Sequence, residues 1–193
     1  MKGRKKVQYD IRKMKKIMKE RLSEKRFNHC VNVSKMAKEL AKIYNIDEQK
    51  AEIAGLLHDI AKELTNAELI GYAQKYNLNY KNIPQESINI LHAEVGAKLA
   101  KEFLGIDKDI EMAIFYHTVG NKNMNLLEKI VFIADKISEE RDYTGVEIIR
   151  DLAKNNQIDK AIHMFLERWL VKIKEKGKIP NKNSLEMLES LSK

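Results

Sequence analysis

From residue 9 onward, apolar positions recur at three- and four-residue intervals, the period of an amphipathic helix, and period-two alternation is almost absent. The spacing predicts a first helix over about residues 9–22 and a second over about 24–44, with Val33, Met36 and Leu40 on one stripe. A third is predicted over about 48–62. "TNAELIGYAQKY" opens with Thr65 three residues before Glu68, and "NLLEKIVFIADKISE" with Asn125 three before Glu128; both are capping-box patterns. Further helices are expected at about 85–91, 93–104 (stopped by Gly105), 107–117, 145–154, 157–176 (ended by Gly177) and 184–192, with loops at 77–84 and in "KIPNKN". No repeat, low-complexity tract or linker divides the chain. The expected fold is all-α, a single bundle of about ten helices, with a basic N-terminal segment over 1–20 ahead of a domain over 21–193.

A chain of 193 residues is long enough for one domain with a core of its own. No apolar stretch approaches a membrane span, and the start, "MKGRKKVQYDIRKMKK", lacks the apolar centre of a signal peptide. The single cysteine, Cys30, excludes an internal disulfide and fits a reducing compartment, so a cytoplasmic location is expected. The net charge of +8 is local: residues 1–26 hold 12 Lys/Arg and 3 Asp/Glu, and the remainder balances to −1. The plain reading of that segment is a solvated helix face after a disordered start; a nucleic-acid-binding arm is the alternative. Tyr9 is the single aromatic among its basic residues, which argues against a platform for stacking single strands.

Chemistry enters with the histidines. His29 shares the stripe of Val33, Met36 and Leu40; His58 shares a face with Ala51, Ala54 and Ala61; His92 precedes Val95 and Leu99; His117 follows Ile110, Ala113 and Ile114. One histidine on an apolar face is usually a satisfied core residue, but four would each need a buried partner. Two carboxylates join them in apolar runs, Asp59 in "AGLLHDIAKEL" and Asp135 in "IVFIADKI". Buried acids are costly unless neutralised. A bound metal reconciles both sets, because the cation removes the penalty on the acids and neutral imidazoles donate to it. Cys30, Trp169 and Met164 read as packing, His163 as structural or exposed, and Glu63 either as a helix-end acid or as a group orienting water.

His29, the adjacent pair His58–Asp59 and the distant Asp135 together resemble the HD-domain metal-dependent phosphohydrolases. "RFNH", "GLLHDIAKEL", "LHAEVGAKLA", "YHTVG", "LEKIVFIADKISEERDYTGVEIIR" and "GKIPNKNSLEML", in that order, are similar to the bacterial symmetrical diadenosine-tetraphosphate hydrolases from about residue 20 to the end. Two departures stand out: Ala93-Glu94 where the family often has a Gly-Pro-like pair, and Ile179 where a histidine often precedes the late proline.

The resemblance implies His29, His58, Asp59 and Asp135 as primary metal ligands. It implies iron; the donor set alone suits iron, manganese, nickel or zinc. His92 and His117 either complete a second metal site, with Asp59 bridging, or contact a phosphate, the latter being favoured. One ion is therefore expected, with two as the alternative. Arg26, Lys62, His92, His117, Thr118 and Arg141 are the expected substrate-binding residues, and Asp59 and Lys62 the expected catalytic ones. The implied activity is symmetrical hydrolysis of diadenosine tetraphosphate to two ADP. Another HD-type nucleotide phosphohydrolase, and a non-catalytic nucleic-acid-binding module, are the alternatives. The expected partners are the dinucleoside polyphosphate and its ADP product, with no membrane, nucleic acid disfavoured and a homodimer allowed.

Overall fold

Residues 9–192 are described by the computed structural model; residues 1–8, which carry most of the expected disordered start, lie outside the described residues. Helix α1 (Ile11–Arg21) begins where the Asp10 side chain accepts from the Lys13 amide. Its Met14 and Met18 are buried in the main core, so the second half of the basic segment is a packed helix with a cationic outer face. Then follow α2 (Glu24–Ile43), α3 (Glu48–Leu57), α4 (Asn66–Lys75), a 3₁₀ turn over Gln85–Ile90, α5 (Leu91–Leu104) and α6 (Lys108–Tyr116). The chain closes with α7 (Leu126–Ile137), α8 (Val146–Lys154), α9 (Ile158–Glu175) and α10 (Lys182–Leu191). Ten α-helices and no strand stand among the described residues, as the periodicity predicts. Both predicted capping boxes form, Thr65 with Glu68 and Asn125 with Glu128.

Helices α2, α3, α6 and α7 pack against one another at the centre. Their inward stripes, with residues such as Val33, Leu40, Ile53, Leu57, Ile114 and Ile130, are fully buried. At Gly55 an added Cβ would lie 2.9 Å from the Ser34 Cα, so only glycine lets α3 sit this close to α2. A second, smaller cluster joins α4, the 3₁₀ turn and α5 through Leu69, Ile88, Leu91, Val95 and Leu99. Helices α8 and α9 pack on α7, and α10 on α9.

Two predicted elements differ. Residues 85–90 form a 3₁₀ turn, and the third helix stops at Leu57 rather than near residue 62. Past Leu57 the backbone tightens into bonds to the third residue back, Ile60 N–H to the Leu57 carbonyl (3.0 Å) and Lys62 N–H to that of Asp59 (2.9 Å). On a continuous α-helix, His58 and Asp59 would diverge by about 100°. Here both side chains nonetheless enter one cluster, His58 Nε2 lying 3.4 Å from Asp59 Oδ2.

Glu111 on α6 is fully buried, and Lys98, Lys101 and Lys108 reach it at 2.7, 2.7 and 3.4 Å. Burial raises its pKa, but the lysines outweigh that and hold it down at about 2. Its contribution to stability is therefore complete above the ordinary carboxylate value of 4.5 and is lost as pH falls toward about 2. Glu111→Gln is expected to cost ~1–3 kcal/mol at neutral pH by urea denaturation. The gap to wild type should narrow in acid, and an equal gap at pH 7 and at pH ~3 would refute the account.

Candidate metal centre

Each histidine reaches the centre from a different element. His29 sits in the second turn of α2, His58 at the C-terminal cap of α3, His92 in the first turn of α5 and His117 at the C-terminal cap of α6. Asp59 follows in the tightened turn, and Asp135 lies in the last turn of α7. All six are buried.

Three imidazoles are oriented in the same way. The Nδ1 positions of His58, His92 and His117 lie 2.8, 2.5 and 2.7 Å from the carbonyls of Gly55, Asn89 and Ile114, each three residues back. A carbonyl only accepts, so Nδ1 carries the proton and Nε2 presents a lone pair to the centre. His29 Nδ1 pairs instead with Glu140, 2.5 Å away, whose carboxylate also accepts from Asn32 (2.9 Å) and Ser138 (2.8 Å).

These Nε2 atoms converge on the two carboxylates. Asp59 Oδ1 lies 3.2 Å from His92 and 3.5 Å from His117, and its Oδ2 lies 3.4 Å from His58 and 3.8 Å from His29. Asp135 Oδ1 lies 3.1 Å from His29 and 3.8 Å from His58. Despite these distances, Nε2 of His29 and of His58 are buried with no aligned hydrogen-bond partner. Two buried lone pairs aimed at two carboxylates without hydrogen bonds match what a divalent cation needs. Three overlapping groups have ligand atoms within 4.8 Å of one another: His29, His58 and Asp59; His58, His117 and Asp135; and Asp59, His92 and His117.

Electrostatics agree. Burial raises the pKa of Asp59, yet His58, His117 and His92 hold it well below the carboxylate range. Burial raises Asp135 too, and Lys136, His29, His58 and Arg141 reverse the shift. Burial lowers His92, and drives His117 down to about 3, so both rings are neutral donors at pH 7. His58 goes the other way: against its burial, Asp59 and Asp135 raise its pKa. A metal and that proton compete for the same lone pair.

A ring of cations surrounds the cluster. Arg26 pairs with Asp59 at 2.9 Å, and Arg141 reaches Asp135 through Nη2 to Oδ1 (2.7 Å) and Nε to the carbonyl (2.8 Å). Lys62 Nζ and the Thr118 hydroxyl each lie 3.1 Å from His92 Nε2. All ten residues expected from the sequence are thus brought together. Two that the sequence reading passed over join them, Glu140 behind His29 and Lys136, 2.6 Å from Asp135. Glu63 is engaged elsewhere, accepting from the Ser23 amide and hydroxyl at the start of α2. His163 lies apart, against Ser192 and Glu167. Beside the cluster opens a cavity of about 660 Å³ that reaches from Thr118, Lys136 and Arg141 to Phe165 and Trp169. Trp169, expected as packing, lines it.

The HD domain family model matches residues 26–140, the span that carries every one of the six central residues. A symmetrical bis(5′-nucleosyl)-tetraphosphatase of Staphylococcus aureus (strain NCTC 8325 / PS 47) is 39% identical over 84% of both chains. One of Bacillus subtilis (strain 168) is 34% identical over 83% of this chain and 86% of its own. Among solved structures, a predicted HD superfamily hydrolase involved in NAD metabolism, from Clostridium acetobutylicum, superposes with a TM-score of 0.87. It is 35% identical, with 96% of this chain and 98% of that one covered.

Proposed function

The chain belongs to the HD-domain family, and we propose that it is a metal-dependent hydrolase that cuts diadenosine tetraphosphate at its middle anhydride, releasing two ADP. The observation that carries the reading is the convergence of four imidazole Nε2 atoms on two buried carboxylates inside a ring of cations. The close relation to symmetrical tetraphosphatases over most of the chain supports the substrate.

His29, His58, Asp59 and Asp135 are the residues that would hold the ion, which the family resemblance makes iron; nitrogen and oxygen donors without thiolate also suit manganese, nickel or zinc. When bound, a divalent ion supplies a Lewis acid and lowers the pKa of water. The chain's own residues do the rest. Water adds to one inner phosphorus, the central P–O–P bond breaks, one ADP keeps the solvent oxygen and the other leaves as its diphosphate. Arg26, Lys62 and Arg141 neutralise phosphoryl oxygens as the bond opens, and the Thr118 hydroxyl donates a further hydrogen bond. Asp59, whose carboxylate faces all four imidazoles, fixes their common focus. His92 and His117 are assigned to the phosphate side rather than to a second ion: their Nε2 lone pairs accept from the Lys62 ammonium and the Thr118 hydroxyl and hold these two donors toward a phosphate, and the Lys62 ammonium, 3.1 Å from His92, would repel a cation there. Lys136 adds positive charge on the same rim.

Product analysis tests the reading. With metal restored, diadenosine tetraphosphate should yield ADP as its sole nucleotide product, with one solvent oxygen in one of the two ADP molecules in labelled water. AMP with ATP would mean an asymmetric cut. Inert dinucleotides beside a readily dephosphorylated mononucleotide would point to a nucleotidase.

Glu140 is proposed to act through His29, fixing its tautomer and the aim of Nε2. Glu140→Gln should weaken Mn²⁺ binding by about 10–100-fold in calorimetric titration. Wild-type affinity would show Glu140 to be a mere neighbour.

A further inference from the structure

The cavity beside the cluster has walls of two kinds. Thr118, Lys136 and Arg141 belong to the ring of polar and cationic groups around Asp59 and Asp135. Tyr143, Phe165 and Trp169 give the remainder an aromatic lining. Phe165 and Trp169 are four residues apart on α9 and so share its face toward the cavity. Lys136 ties the walls together: its Nζ is 2.6 Å from Asp135 and 5.9 Å from the centre of the Phe165 ring. Lys172 Nζ stands 5.6 Å from the centre of the Tyr143 ring.

We propose that this cavity is the nucleoside subsite, in which the base of one nucleoside diphosphate stacks on Trp169 and Phe165 while its phosphates reach back to Lys136 and Arg141. The inference rests on the nucleotide reading of the metal centre and extends it to the part of the substrate that does not react. Three features carry it. Phe165, Trp169 and Tyr143 are only half-buried where they line the cavity, so flat aromatic surface is held open to a ligand. The lining mixes aromatic rings with Lys136, Arg141, Arg168 and Lys172 against the single acid Glu175, which fits a ligand that is both aromatic and anionic and opposes a neutral lipid. The volume of about 660 Å³ is ample for a purine nucleoside.

The wall is also tied to the neighbouring loop. Arg168 donates from Nη1 to the Thr144 carbonyl (3.0 Å), which fastens α9 to the loop before α8. Next to that carbonyl, Gly145 has φ +84°, and a Cβ there would fall on the Arg168 guanidinium. Stacking strength grows with the area of the ring, so a purine is favoured over a pyrimidine.

Trp169 is the only tryptophan in the chain, so its emission reports on this cavity alone. In the metal-loaded protein, ADP should change Trp169 emission saturably, inorganic pyrophosphate should bind without changing it, and UDP should bind more weakly than ADP. By calorimetry, Trp169→Ala should weaken ADP binding by about 5–100-fold and leave pyrophosphate binding intact, while Trp169→Phe retains most of the affinity. Silent emission while ADP binds, or wild-type ADP affinity in Trp169→Ala, overturns the subsite. An equal loss for ADP and pyrophosphate, or a loss of the same size in Trp169→Phe, shows a structural role and also overturns it. None of these readouts needs turnover. Emission that responds to ADP in a protein that leaves diadenosine tetraphosphate intact overturns the function and keeps the subsite; turnover with silent emission does the reverse.

Discussion

Asp59→Ala is expected to leave a folded protein that neither retains metal nor hydrolyses diadenosine tetraphosphate. Asp59 is the one carboxylate whose two oxygens face all four imidazoles, at 3.2 to 3.8 Å, and it is also the partner of Arg26. Its removal takes away a donor atom and a negative charge at once. Arg26 then loses its counter-charge, and together with Lys136 and Arg141 it opposes any cation that enters. The loss in metal affinity should exceed the ~10–100-fold expected when an outer partner such as Glu140 is changed. His58→Ala should behave alike, because it deletes an Nε2 lone pair that converges with His29 and Asp59 on the proposed ion. The bundle should survive both changes: its apolar core is continuous around the cluster, from Met14 on α1 to Met187 on α10. Elemental analysis after reconstitution, turnover and far-ultraviolet circular dichroism on one preparation give the three readouts. An Asp59→Ala protein with full metal and full activity would remove the basis of the proposed site.

How much of this was legible in the sequence follows from what each residue type can and cannot signal. The helices were legible because apolar spacing and capping boxes are local: Thr65 with Glu68, and Asn125 with Glu128, form as written. The inward histidines were legible because each shares a stripe with residues that are fully buried, such as Val33, Val95 and Ile114. The end of α3 was not, since "GLLHDIAKEL" has the composition of an unbroken helix. Its backbone tightens after Leu57, and no local pattern in that stretch encodes the change.

Glu140 and Lys136 were missed for a different reason. Charged residues in "ADKISEER" read as a solvated helix end, and Glu140 reaches His29 across 111 positions of sequence. The signal that could have found Glu140 was negative: a buried His29 in the second turn of α2 needs an acceptor for its Nδ1, and Glu140 supplies it. Trp169 reads as packing in the sequence because helical spacing cannot separate a ring that fills a core from one that walls a cavity.

Lys62→Ala and Arg141→Ala should keep their metal and lose turnover, and that contrast separates the phosphate clamp from the ligand set. Neither residue is among the four proposed ligands. Lys62 stands against His92, and Asp135 keeps Lys136 at 2.6 Å when Arg141 is removed. Burial lowers the Lys62 pKa, aided by Lys136 and Arg26 and opposed by Asp59 and Asp135. A polyanionic substrate supplies the counter-charge this crowded ammonium lacks, so its contact strengthens as negative charge accumulates on the breaking anhydride. Arg141 is fixed by two bonds to Asp135 and lines the cavity, so its guanidinium is pre-positioned for the phosphates without reorganisation. Losing one charge-assisted contact costs ~1.5–3 kcal/mol. Where the contact acts in the transition state, that is roughly ten- to a hundredfold in kcat. Arg141→Lys should recover only part of the loss, since a lysine cannot reproduce the two-pronged hold on Asp135. A rise in KM alone, with kcat intact, would limit the pair to uniform binding of substrate and transition state. Wild-type kinetics in both alanine variants would return Lys62 and Arg141 to the status of ordinary charges and leave the metal centre without the clamp assigned to it.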